Sequence, residues 1–178
     1  VGASACAVGL EEIIAMGGKK IVLFGSCGIL DPSADGKIIV PTSAVRDEGT
    51  SYHYMAISQE IEADKSSVNA VVNCLEKCGC PYVKGKTWTT DGIYRETSSL
   101  IRERKEMGCI AAEMEYAAAL AVTRFRKVDF CGFLYGADCL DEIHWNPRDL
   151  SEYGSANGEQ YMALAFECGM ESDSIAEH

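Results

Sequence analysis

Apolar residues along this chain follow two rhythms. Short continuous runs bounded by glycine or proline alternate with longer stretches whose apolar positions recur three and four apart. The first rhythm fits strands buried on both faces, the second amphipathic helices. Lys20 to Phe24 and Phe130 to Tyr135 are the clearest strands. Lys37 to Val40 (ending at Pro41), Tyr82 to Trp88 and Cys109 to Ala112 join them. Helical spacing runs from about Ala5 to Met16, with Ser4 as its cap and Gly17-Gly18 as its stop. It returns through Ile61, Val68, Val71, Val72 and Leu75 up to Gly79, and from Ser98 to Met107 before Gly108. Met114 to Arg124 and Ser155 to Gly169 complete the set, and the last nine residues read as a frayed tail. Strands alternating with helices predict an α/β domain of three layers. With no internal repeat or low-complexity linker, residues 1–178 read as a single domain.

Composition narrows the partners. Hydrophobic residues make up 47% and charged ones 24%, as in ordinary globular chains, and no apolar run approaches the roughly 18 residues of a membrane span. A net charge of −11 argues against a general nucleic-acid or anionic-membrane surface. Any anionic substrate must meet local positive groups. The nine cysteines are an odd number, several of them inside apolar runs where Cys behaves as a small buried hydrophobe. A reducing cytosol fits this usage better than a disulfide framework. Cys74, Cys78 and Cys80 lack paired spacing and a nearby His, so no metal is expected there. The chain opens on Val1-Gly2-Ala3-Ser4, without Met or an apolar leader core, and reads as a piece of something longer.

Candidate chemistry gathers at the junctions between elements. In Ala112-Glu113-Met114-Glu115-Tyr116 two carboxylates bracket a methionine where a strand hands over to a helix. Glu113 falls on the last strand residue and Glu115 in the first helical turn, where exposed N–H groups and the helix dipole favour acids. That is either an ordinary acidic helix start or a pair of ligand-binding carboxylates. Gly25-Ser26-Cys27-Gly28 follows a buried strand as a tight turn with exposed amides, suited to an anion or a sugar hydroxyl, or is a plain turn. Arg46 to Tyr54 and Thr89 to Glu96 are polar loops dense in hydrogen-bonding side chains. His53 in the first is either functional or structural. Asp138 lies just past the last strand, in the crevice where α/β proteins place ligands.

In this order and at these spacings, Gly25-Ser26-Cys27-Gly28, Arg46 to Tyr54, Thr89 to Tyr94 and Glu113-Met114-Glu115 followed by Asp138 resemble the nucleoside phosphorylase family of the purine and uridine phosphorylase type, which includes nucleosidases. The resemblance covers nearly the whole chain. It implies a phosphorylase/hydrolase-like fold, with a central mixed, largely parallel sheet between helical layers. It also implies roles. Glu115 would bind the ribose 2′ and 3′ hydroxyls, as one carboxylate can accept two hydrogen bonds. Met114 would pack beneath the sugar, and Glu113 would lie near the base or sugar edge. Gly25 and Ser26 would face phosphate or ribose, and Asp138 would protonate or hydrogen-bond the leaving purine. Cleaving an N-glycosidic bond needs leaving-group assistance and a pocket that tolerates an oxocarbenium-like sugar; carboxylates serve both.

Departures from the family pattern matter as much. Family phosphorylases carry a phosphate-binding Arg two residues before the Gly-Ser pair, where this chain has Leu23. About the first quarter of the family domain, with its first strand, glycine loop and another phosphate-binding Arg, is expected to precede Val1. Ile93 stands at the base-stacking aromatic position, so stacking falls to Tyr94, Trp88 or Trp145. The Arg46 to Tyr54 loop is uridine phosphorylase-like, whereas Asp138 is the acid of purine-directed members, which tips the expectation toward purines. His144 either guards the pocket or sits on a loop. The resemblance therefore implies phosphorolysis of a ribonucleoside to free base and ribose 1-phosphate, in a cytoplasmic homo-oligomer (dimer or hexamer). Inorganic phosphate would be co-substrate, with no metal or organic cofactor. A nucleosidase using water and a catalytically idle nucleoside binder are the alternatives.

Overall fold

The computed structural model describes residues 2–140, 145–148 and 157–171. Its organising strand is β1 (Lys20–Ile29), paired in parallel with β6 (Asp129–Leu140) along its whole length. β2 (Ile38–Asp47) pairs in parallel with β4 (Tyr82–Thr90), and β4 with β5 (Cys109–Glu113). The short β3 (Glu60–Glu62) and β7 (Trp145–Asn146) lie antiparallel on β2 and β6. The order is β3-β2-β4-β5-β1-β6-β7, and β2 also meets β6 at Ile38–Tyr135 and Ile39–Leu134. The α/β class and mixed sheet are as the sequence predicts. The sheet, expected as the middle of three layers, closes on itself as a barrel.

Helices cover the barrel in groups. α1 (Ala3–Ala15) and α4 (Tyr116–Arg126) share a cluster built on Leu10, Ile21, Tyr116, Leu120 and Phe130. α2 (Lys65–Lys77) and α5 (Gly158–Glu171) pack through Val71, Leu75, Phe133 and Leu164. Ile101 of α3 (Ser98–Glu106) joins Leu30, Trp88 and Leu140. Gly79 and Gly108 follow α2 and α3 at φ 65° and 84°, the left-handed backbone that lets a helix stop and turn. Five of the nine free cysteines are buried, as their place in apolar runs predicts.

Several boundaries move, each for a tertiary reason. Gly25-Ser26-Cys27-Gly28 is not a turn: it continues β1, because β6 runs alongside to supply its ladder. Pro41 does not end β2; the register slips between Pro41 and Ser43, which accommodates a residue with no N–H to give. Ile61 belongs to β3 opposite Ala44, not to the helix after it. Ser4 lies inside α1 with its hydroxyl 2.9 Å from that of Thr50, and Gly2 is the capping residue. Arg46, Asp47, Thr89 and Thr90 are strand residues, and Asp138 sits inside β6 and not beyond it. The last helix continues through Glu171; its expected start at Ser155, the tail after Glu171 and His144 lie outside the described residues.

Candidate active site

One row across the barrel gathers the acids. Ala112 of β5 pairs with Gly28 of β1, and Gly28 pairs on its other side with Asp138 of β6. Glu113 is the next residue of β5, so two carboxylates flank a strand whose side chain at that level is a hydrogen. Cys27, buried beside that glycine, feels the charge of both: burial pushes its thiol well up, and Glu113 and Asp138 add to the rise.

Glu113 is held by the helix it introduces. Its Oε2 accepts the backbone N–H groups of Glu115 (2.7 Å) and Tyr116 (2.6 Å), and its Oε1 accepts the Thr89 hydroxyl. The Thr89 oxygen in turn accepts the N–H of Ala117 at 3.1 Å. These amides have no partner within the helix, so an acid there satisfies them and sits at the positive end of the dipole. Glu113 is nevertheless 5% exposed, and burial pushes its pKa up to about 7 against those donors. Because the amides on Oε2 can only donate, a proton on this acid belongs on Oε1, facing Thr89. Met114 and Glu115 are half-buried, and Glu115 Oε1 accepts the Gly2 N–H (2.5 Å) where α1 begins.

Asp138 is placed by an irregularity. Cys27 pairs with Gly136 but Gly28 with Asp138, leaving Ala137 unopposed. Alternation of side chains along β6 slips by one at such a bulge, which re-aims the acid. Leu134 and Cys139 consequently share one cluster while Leu140 joins another. Asp138 is 8% exposed, and Trp145 donates its indole N–H to Oδ2 at 2.6 Å. Burial raises its pKa, opposed by Trp145, by its own backbone amide and by Arg148. Glu96 is pushed up to about 7 by burial and then by the charge of Asp138. Nothing in the sequence separates Glu96 from the acids of an ordinary polar loop; only the approach of that loop to β6 singles it out.

The other expected site residues are more dispersed. Ser26 is exposed, on the opposite side of β1 from Cys27, and Gly25 is half-buried between Phe24 and Ser26. Ile93 and Tyr94, on a 3-10 turn at Ile93–Arg95, are 48% and 96% exposed, and lead into Glu96. His53 is exposed on a 3-10 turn at Thr50–His53. With Ser4, Glu11, Tyr54 and Asp91 it lines an open groove of about 530 Å³ along α1. Much of the polar character of Arg46 to Tyr54 is spent internally. Arg46 donates to the Ser51 hydroxyl (2.8 Å), the Ala56 carbonyl and the Ser58 hydroxyl (both 2.7 Å), and lies 4.2 Å from the Tyr52 ring centre. Leu23 packs against the cluster around Tyr116, an apolar side chain at the position where the resemblance leads to the expectation of an Arg.

A sequence model described as the phosphorylase superfamily matches residues 1–164. The chain belongs to the phosphorylase superfamily. Among its relatives are a uridine phosphorylase of Thermococcus kodakarensis, 33% identical over 92% of this chain and 61% of that protein. A guanosine phosphorylase of Halorubrum lacusprofundi is 27% identical over 84% of this chain and 67% of its own length. A purine nucleoside phosphorylase of Plasmodium falciparum is 27% identical, over 84% and 62%. The chain thus spans about three fifths to two thirds of these relatives. In fold it is similar to an AMP nucleosidase from Bacteroides thetaiotaomicron (TM-score 0.80, 18% identity, 99% of this chain and 71% of that one). It is similar too to a uridine phosphorylase from Vibrio fischeri (TM-score 0.74, 21% identity, 100% and 72%). Within this superfamily member, no described helix is long and apolar enough to cross a membrane.

Proposed function

We propose that the protein is a nucleoside phosphorylase, cleaving the N-glycosidic bond of a ribonucleoside with phosphate to give free base and ribose 1-phosphate. The observation that carries this reading is the row Glu113, Gly28, Asp138 inside a superfamily fold: one acid at a helix start, another at a bulge, and a glycine between them. Glu115 binds the ribose hydroxyls, Met114 packs beneath the sugar, and Glu113 contacts the sugar or base edge. Gly25 and Ser26 face phosphate or ribose, Ile93 and Tyr94 border the base, and His53 serves at the groove beside α1. Asp138 is the leaving-group acid; its burial raises its pKa, which favours the protonated form this role requires. A purine, whose leaving group gains most from such an acid, is the favoured base, although the relative at 33% identity is named a uridine phosphorylase. The reaction needs no metal or organic cofactor, and the resemblance extends to a cytoplasmic homo-oligomer, a dimer or hexamer.

Leu23 supports a second reading. Its side chain is committed to the apolar cluster of α1 and α4, so this strand supplies no guanidinium to phosphate. Water would then replace phosphate, making the protein a nucleosidase. Base release from inosine, adenosine and uridine by the full-length protein, with and without phosphate, separates the two. Turnover that requires phosphate supports phosphorolysis, and equal turnover without it establishes hydrolysis. Tight nucleoside binding with no turnover under either condition overturns both in favour of a binding protein.

A further inference from the structure

Trp145 is a surface residue by most measures: 59% exposed, on a strand of two residues. Yet β7 is registered on β6 so that Trp145 pairs with Leu140, and its indole N–H reaches back 2.6 Å to Asp138 Oδ2. The other carboxylate oxygen lies toward β1. A Cβ at Gly28 would stand 3.3 Å from Oδ1 and 2.6 Å from a Leu140 methyl, so the glycine leaves that oxygen room. The carboxyl group is therefore fixed between an indole on one side and a bare strand on the other.

We infer that Trp145 is the positioning residue of Asp138: its N–H holds Oδ2, so that Oδ1 is the oxygen that carries the proton to the leaving base. This rests on the reading of Asp138 as leaving-group acid. The chemistry follows from donor inventory. An indole nitrogen can donate and cannot accept, so an oxygen it binds is the poorer place for a carboxylic proton. A proton on Asp138 is thereby directed to Oδ1, and rotation of the carboxyl group, which would present the acid in the wrong direction, breaks the indole bond. The hydrogen bond also favours the ionised form and offsets part of what burial does. The other charged or titratable groups acting at this point are Glu96 from the turn after β4, Cys27 from β1 and Arg148 beyond β7. Arg148 itself is paired with Asp35 at 2.5 Å.

The test uses Trp145→Phe, which keeps an aromatic ring and removes the donor, in the full-length protein. In ¹H–¹⁵N spectra of protein labelled at tryptophan nitrogen, the indole signal lost in Trp145→Phe is expected to titrate in wild type and to be pH-independent in Asp138→Asn. In turnover of a purine nucleoside, kcat is expected to fall roughly tenfold with KM unchanged, the size of a lost hydrogen bond to an ionisable group. The alkaline limb of the rate profile should move up by about one pH unit, since the bond that lowers the Asp138 pKa is gone. An indole signal indifferent to Asp138 overturns the inference. So does a raised KM with an unmoved alkaline limb, which would make Trp145 a stacking platform. A protein that cleaves no nucleoside but shows the linked titration sinks the proposed activity and supports the Trp145–Asp138 pair.

Discussion

Glu113 and Asp138 sit one residue out of register across the same glycine, and are held by opposite means. Glu113 is gripped chiefly by its own neighbours in sequence, two amides one and two peptide units beyond Met114, with a threonine from the adjoining strand added to them. Asp138 is gripped through strand pairing: a bulge forced against β1, far away in sequence, and an indole from β7, which folds back onto β6 seven residues further on. Both acids are buried and both are pushed up, but the first carries its compensation with it while the second borrows it. A carboxylate at a helix start is robust to changes elsewhere. One aimed by a bulge depends on the register of the whole sheet.

Five variants would break or sharpen that contrast. Asp138→Asn keeps an acceptor for the Trp145 indole and removes the proton, so purine turnover should fall by about 10² to 10⁴ with little change in stability; unchanged purine turnover would end the leaving-group role. Glu113→Gln should act on stability. The folded-state pKa of Glu113, about 7, lies above its ordinary value of 4.5. Native protein therefore keeps a proton that the unfolded chain has released. Its contribution is fully present below pH 4.5 and is lost as pH rises through 7. Across that window wild type should lose on the order of 3 kcal/mol from this group, and urea titrations at several pH values should show the slope flattened in Glu113→Gln. Glu115→Ala should raise the nucleoside KM and lower kcat/KM by roughly 10- to 100-fold, by removing hydrogen bonds from a charged acceptor. An unchanged KM would place the ribose elsewhere.

The smallest effect comes from a pair of glycines three residues apart. A methyl at Gly28 would press on Leu140 and on Asp138 Oδ1, so Gly28→Ala should cost about 1–3 kcal/mol in a thermal or urea melt. At Gly25 an added Cβ meets nothing within 4 Å, and Gly25→Ala should leave the melt nearly unchanged. If Gly25 faces phosphate or ribose, its alanine variant will show the loss in KM and not in stability.

Alternation of apolar runs with helical spacing gave the α/β class, and the Glu-Met-Glu junction was legible because its logic is local. A strand residue, two amides and a helix dipole are all encoded within five positions, Ala112 to Tyr116. Helix stops at Gly79 and Gly108 were legible for the same reason, since only glycine adopts that backbone without cost. What local chemistry could not decide was where strands continue. The Gly25–Gly28 stretch and Pro41 carry turn-forming residues, yet both extend strands because a neighbouring strand supplies the ladder. Closure of the barrel between β2 and β6, the bulge at Ala137 and the approach of Glu96 to Asp138 are likewise pairings between distant segments, and the reach of Trp145 depends on β7 folding back in register on β6. A residue's own neighbours in sequence set its conformational preference, but the face on which its side chain emerges is set by strand register. Register is fixed only when every strand has found its partner. The sequence by itself thus determined which chemical groups this protein could use, and the tertiary structure decided which oxygen of which acid is turned toward Gly28.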